Sequence, residues 1–133
     1  MPLLIGVIAA LAVGLLGTTT RMDRDRAFYP VATIVIASYY LLFALLGHST
    51  RALVLDAAIG AAFLIAAVAG FRQSLWIVVV ALAGHGLLDL THAALLDNPG
   101  VPAWWPAWCL AYDVTAAAYL AWLLRSGRVR AAG

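Results

Sequence analysis

Hydrophobic positions in this chain form long runs, each about the length of one helix, and polar positions lie mostly between the runs. Five apolar runs of about 15–23 residues are separated by short polar segments, and about 20 apolar residues are enough to cross a bilayer as a helix. Pro30 suits the first turn of the second run, and Asp97-Asn98-Pro99-Gly100 is typical of a turn after the fourth. We therefore predict an all-α integral membrane bundle of five transmembrane helices, forming a single transmembrane domain over residues 1–133. The predicted helices cover about residues 3–19, 30–47, 52–71, 74–96 and 104–125.

The composition supports a membrane protein. Hydrophobic residues make up 65% of the chain and charged residues 11%, with a mean hydropathy of +0.99, whereas soluble domains carry about 25% charged residues. The pI near 9.0 comes from arginines that lie almost entirely at segment ends, so it indicates topology rather than nucleic-acid binding. The lone cysteine, Cys109, excludes an intrachain disulfide.

The arginines predict an orientation. Of eight arginines, seven fall in the first loop, the third loop and the C-terminal segment, and only Arg51 lies on the opposite side. Since basic residues collect on the cytoplasmic side, we predict a multi-pass protein of the cell inner (plasma) membrane with its N-terminus outside and its C-terminus in the cytoplasm. Membrane lipid is then a partner of the apolar outer faces, and assembly as a homo-oligomer is a further expectation.

Ionisable residues interrupt the fourth and fifth apolar runs. His85, Asp89 and His92 are spaced i, i+4, i+7, which confines them to a helical stripe about 60° wide, and Asp113 lies in the next run. Ionisable groups at membrane depth are costly and usually functional. These four side chains are therefore the predicted catalytic residues.

Polar and aromatic side chains of three further helices are expected at the depth of this stripe, in the outer half of the membrane. They are the predicted substrate-binding residues: Tyr39, Tyr40, Asp56, Trp105, Trp108, Cys109 and Tyr112. Simpler roles compete with this prediction, because Trp commonly marks the membrane interface and a lone membrane Cys is usually a small hydrophobe. Asp56 could also simply pair with Arg51.

Three hypotheses of function follow. The first is a membrane-embedded acid–base enzyme without a cofactor, in which a buried Asp protonates an alkene or epoxide of a lipophilic, plausibly isoprenoid, small-molecule substrate. The second is a divalent-metal-dependent membrane enzyme or metal-binding protein, in which His85, Asp89, His92 and Asp113 hold an ion such as Zn²⁺. The third is a small proton or ion transporter.

Three segments carry a resemblance: Arg24-Asp-Arg-Ala-Phe-Tyr-Pro30, His85-Gly-Leu-Leu-Asp-Leu-Thr-His92, and Trp104-Trp-Pro-Ala-Trp-Cys109 with Tyr112-Asp113. They resemble segments of small uncharacterised bacterial multipass membrane proteins, a resemblance that implies no particular activity. The size, short helices and buried Asp among aromatics also resemble small bacterial membrane-bound terpene cyclases of the meroterpenoid and indole-sesquiterpenoid type. That second resemblance implies cyclisation started by an acidic residue, and it assigns no residue here to that role.

Overall fold

The computed structural model describes residues 1–133, apart from the side chain of residue 93. The chain forms α1 (Pro2–Thr20), α2 (Phe28–Leu46), α3 (Thr50–Arg72), α4 (Leu75–Leu96) and α5 (Trp105–Arg125). Each bound lies within about two residues of the predicted one, a difference usual for helix ends. All five helices are long and apolar enough to cross a membrane. The protein is an all-α, multi-pass membrane protein, as the sequence predicted.

Helix α4 lies in the middle of the bundle. It packs against α5, α3 and α2, while α5 also packs against α1. The outer faces carry exposed aliphatic side chains such as Leu4, Ile65 and Val80. These faces suit contact with lipid, where only backbone groups bonded within a helix are tolerated. Side chains on the inner face of α4 therefore meet three other helices.

Short connections set the alignment of the helices. Only Gln73 and Ser74 separate α3 from α4, and the Ser74 hydroxyl caps α4 by accepting a hydrogen bond from the Trp76 N–H at 3.4 Å. At the other end of α4, Asp97 takes a left-handed backbone conformation with φ 44°. This tight antiparallel arrangement places the start of α3, the end of α4 and the start of α5 at the same end of the bundle.

A glycine permits close approach of α1 to α5. A Cβ added at Gly6 would collide with the carbonyl oxygen of Trp108 and would lie 3.0 Å from the Cβ of Ala111. At Gly84 of α4, by contrast, an added Cβ meets nothing within 4 Å. The two glycines therefore differ in packing although both lie within helices.

We expect Gly6→Ala to destabilise the protein by about 1–3 kcal/mol, because the methyl group must push α1 away from the backbone of α5. Gly84→Ala is the matched control and should be neutral or stabilising by up to about 1 kcal/mol, through its better helix propensity. Unfolding in detergent micelles measures both free energies. Equal stability of the two variants would contradict the packing of α1 on α5.

Candidate functional site

Buried polar side chains form two groups that Tyr40 connects. The first, which we call the four-residue cluster, consists of His85 and Asp89 of α4 with Cys109 and Asp113 of α5. The second, which we call the Asn98 network, consists of Asp56 of α3, His92 of α4 and Asn98 of the α4–α5 loop. All of these residues are buried. Four helices and one loop thus contribute to one polar region inside an apolar bundle.

The four-residue cluster is compact. The His85 Nδ1 and the Asp113 Oδ2 are hydrogen-bonded at 2.7 Å, and the His85 Nδ1 lies 3.8 Å from the Asp89 Oδ2. The Cys109 Sγ lies 3.6 Å from the Asp113 Oδ2 and 4.0 Å from the His85 Nδ1. One ligand-type atom from each residue lies within 4.8 Å of all the others.

Helical spacing produces this convergence. His85 and Asp89 are four residues apart on α4, Cys109 and Asp113 are four residues apart on α5, and such pairs share a helix face. Gly86 lets the two helices approach, since a Cβ there would lie 3.2 Å from the Cβ of Asp113. The structure thus brings the ionisable side chains of α4 and α5 into contact.

Two carboxylate oxygens in the cluster lack a partner. The Tyr40 hydroxyl donates to the Asp89 Oδ1, and the Asp113 Oδ2 contacts His85. The Asp89 Oδ2 and the Asp113 Oδ1 have no hydrogen-bond partner among the described residues. Asp113 is 0% exposed and Asp89 2% exposed, and an unsatisfied polar group at such depth costs free energy. These oxygens can therefore accept a further group, whether a cation, a proton or a water molecule.

In the Asn98 network, both carboxylate oxygens of Asp56 and the side-chain amide of Asn98 are hydrogen-bonded. The His92 Nε2 lies 2.7 Å from the Asp56 Oδ1, and the Asn98 side-chain amide donates to the Asp56 Oδ2 at 2.8 Å. The same amide donates to the backbone carbonyl of Tyr40 at 3.1 Å. The rings of Tyr40 and His92 stack with their centroids 3.8 Å apart. Tyr40 thus contacts both polar groups.

The structure corrects the predicted alternative metal set of His85, Asp89, His92 and Asp113. His92 faces α3 and bonds to Asp56, because seven residues of helix place it roughly 10 Å along α4 from His85. Cys109 takes its place beside His85, Asp89 and Asp113. The suggested pair of Asp56 with Arg51 is likewise replaced by the pair of Asp56 with His92.

The predicted substrate-binding aromatics other than Tyr40 pack against one another in a row. Tyr39 is 37% exposed and its ring packs 4.9 Å from that of Trp105. Trp105 in turn packs 5.0 Å from Trp108, which stacks on Tyr112 at 5.3 Å. These residues form a continuous aromatic row, and their role in binding a substrate stays a prediction. Both carboxylate oxygens of Asp56 are already hydrogen-bonded.

Two residues of the site escaped sequence analysis. Asn98 was part of a predicted turn. Its position directly after the helix that carries the ionisable stripe was the signal that could have identified it. Phe63 of α3 packs its ring edge-on against His85, with the centroids 4.8 Å apart. A phenylalanine within an apolar run gives no signal of such a contact.

The cavities that the structure describes lie away from the four-residue cluster. A surface groove of about 450 Å³ is lined by Trp104, Trp105, Trp108 and the start of α1, and a void of about 10 Å³ beside Tyr112 has room for about one water molecule. Binding sites for organic ligands measure about 300–1,000 Å³. Among the described cavities, none has Asp89 or Asp113 in its lining.

Fold and site together define a five-helix membrane protein with a buried His/Asp/Cys cluster. Comparison of the chain with models of known protein families, with curated proteins and with solved structures finds no match. The resemblances to bacterial multipass proteins and terpene cyclases accordingly stay predictions, and a function has to be argued from the site itself.

We expect Asn98→Ala to destabilise the protein by about 1–3 kcal/mol, because it leaves the buried Asp56 Oδ2 without its donor. The control is Asp97→Asn, at an exposed neighbour whose left-handed conformation asparagine tolerates. Hydrogen exchange should show faster exchange over residues 97–102 in Asn98→Ala alone. Unchanged exchange and stability would mean that the amide does not anchor the loop.

Proposed function

We propose that the protein is a membrane metalloprotein, in which His85, Asp89, Cys109 and Asp113 hold one divalent ion in support of a metal-dependent membrane reaction. One observation carries the proposal: donor atoms of four residues converge from two helices, and two of their carboxylate oxygens lack a partner. Full burial of all four side chains distinguishes this group from ordinary clusters of exposed acidic residues.

The distances fit a tetrahedral ion. Zinc–ligand bonds of about 2.0–2.3 Å separate neighbouring ligands by roughly 3.3–3.8 Å in a tetrahedron. Separations of 3.6, 3.8 and 4.0 Å within the cluster are close to this range. The 2.7 Å hydrogen bond between His85 and Asp113 would open as both side chains turned to the ion. Donor atoms of the cluster lie up to 4.8 Å apart, so the widest separations would have to shorten on binding.

Charge gives a second argument. Two carboxylates in an apolar interior repel each other and are poorly solvated, and a divalent ion between them removes both penalties. The mixture of imidazole, carboxylate and thiolate favours a transition metal such as Zn²⁺ over Mg²⁺ or Ca²⁺, which prefer oxygen ligands alone. Because four protein ligands fill a tetrahedral shell, the ion would act as a Lewis acid only if one ligand gave way to a substrate or water, or if the shell expanded to five.

A metal-free acid is the second candidate, and it retains the acid–base enzyme predicted from the sequence. Its support is that Asp89 and Asp113 are buried around His85, whose ring lies 4.8 Å from that of Phe63 and 6.0 Å from that of Tyr40, and aromatic rings can stabilise a cationic intermediate. It requires a bundle that opens, because a prenyl chain needs far more space than the described cavities offer near these carboxyls. A transporter would need a polar path to both sides, and no observation of this site favours it.

Metal analysis of the purified protein tests the first candidate. Protein loaded with Zn²⁺ and passed through a weak chelator should retain about one ion per chain. His85→Ala, Asp113→Asn and Cys109→Ser should each lower the affinity at least tenfold, because each removes one ligand. His48→Ala and Asp97→Asn change exposed residues of the same types and should retain the ion.

Two results would contradict the metal centre. One is a wild-type protein that holds no divalent ion after loading, and the other is equal binding by the ligand variants and the two controls. The first result would favour the metal-free acid, which also requires Asp89 or Asp113 but needs no ion.

We also propose the orientation and the membrane. The loop between α1 and α2 and the ends of α3 and α5 lie at one end of the bundle. Together with the segment that follows α5, they carry seven of the eight arginines. This distribution supports a cytoplasmic C-terminus and an external N-terminus in the inner (plasma) membrane.

Reporter fusions test this topology. A C-terminal green fluorescent protein should fluoresce, and alkaline phosphatase fused after residue 48 or after residue 98 should be active, because both positions are expected outside. The control is a phosphatase fusion after Arg72, which should be inactive. The opposite pattern would reverse the orientation, and with it the side of the membrane on which the polar region lies.

A further inference from the structure

We propose that Tyr40 is a positioning residue that restricts Asp89 to binding the metal through one oxygen atom, Oδ2. This inference rests on the proposed function, since it concerns the same ion. It assigns a role to a side chain that lies outside the ligand set and connects it with the Asn98 network.

The hydrogen bonds of Asp89 are unequal. The Tyr40 hydroxyl donates to the Asp89 Oδ1, whereas the Asp89 Oδ2 is buried without a hydrogen-bond partner in the part of the chain that the structure describes. The Oδ2 is also the oxygen 3.8 Å from the His85 Nδ1. A carboxylate can bind a metal through one oxygen or both. Because Tyr40 occupies one of them, the other remains for the ion.

Tyr40 itself is buried and is held by two further contacts. It is 4% exposed, its ring stacks on His92, and its backbone carbonyl accepts a hydrogen bond from the Asn98 amide. His92 is fixed in turn by its contact with Asp56. The hydroxyl therefore has little freedom to leave Asp89. Groups that orient metal ligands in this way commonly change metal affinity by 10–100-fold when they are removed.

The adjacent tyrosine provides a matched control. Tyr39 is 37% exposed, packs against Trp105, and has no described hydrogen bond through its hydroxyl. Removing the hydroxyl of Tyr39 makes the same chemical change one residue away, on the other face of α2. Any general effect of losing a tyrosine hydroxyl should appear in both variants.

The experiment uses Co²⁺ as the bound ion, because its visible absorption reports coordination number. Purified full-length protein in detergent is titrated with Co²⁺, giving both an affinity and a spectrum. The wild type should show the intense visible bands of four-coordinate Co²⁺ and an ultraviolet thiolate-to-cobalt band that Cys109→Ser removes. Tyr39→Phe should reproduce the wild type.

Tyr40→Phe should bind Co²⁺ about 10–100-fold more weakly. Its visible bands should also lose intensity, because an unrestrained Asp89 can bind through both oxygens and raise the coordination number to five. A purely structural role for Tyr40 would lower the yield or stability of the protein without altering the spectrum of the bound ion.

The outcomes separate the two proposals. If the wild type does not bind Co²⁺, the metal centre itself is wrong. If the wild type binds it and Tyr40→Phe has the same affinity and spectrum, the positioning role is wrong and the centre stands. Should Tyr40→Phe fail to fold, His92→Phe keeps a stacked ring but loses the contact with Asp56, and should give the same spectral change at smaller amplitude. An unaltered spectrum in that variant would then overturn the inference.

Discussion

A polar atom left without a partner in the interior of this bundle costs free energy, because lipid and aliphatic side chains offer neither hydrogen bonds nor opposite charge. That constraint accounts for the arrangement around α4. His85 is matched by Asp113 on α5, His92 by Asp56 on α3, and Asp89 by Tyr40 on α2. The polar side chains of α4 thus connect it to each of the three helices that it packs against.

The sequence was sufficient for the helices and for the level along them at which the polar side chains meet, because both follow from residue counts along a regular helix. It did not predict that the buried polar side chains form two separate groups, the four-residue cluster and the Asn98 network. A stripe spaced i, i+4, i+7 is narrow in angle but extends over about two turns, so its ends can contact different helices. His85 bonds to α5 and Asp89 to α2, whereas His92, nearer the end of α4, bonds to α3. Helix packing decides which neighbouring helix lies against each turn of α4. Residue spacing along α4 alone does not contain that information.

The two adjacent tyrosines of α2 show the same limit. Consecutive residues of a helix point about 100° apart, so Tyr39 and Tyr40 meet different surroundings. Tyr40 is buried against Asp89 and His92, and Tyr39 lies outward against Trp105. Either assignment agrees with the apolar pattern of α2, because both outer and inner faces of a membrane helix are hydrophobic. The predicted metal set did not include Cys109 for a related reason. A buried cysteine in an apolar run has the same pattern as a small hydrophobic residue.

The closed shape of the polar region favours a small guest. An ion bound by four side chains needs only the space between their donor atoms, which already lie within 4.8 Å of one another. An isoprenoid substrate needs hundreds of cubic ångströms, and the groove of that size among the described cavities lies beside Trp105 and Trp108 instead. Trp105, Cys109 and Asp113 follow one another along the same face of α5, with Trp105 at the groove. A substrate in the groove could reach Asp113 along this face only if Trp105 moved. Chemistry on a large substrate would therefore require displacement of Trp105 before the buried carboxylates became accessible, whereas occupation by a metal ion requires no such movement.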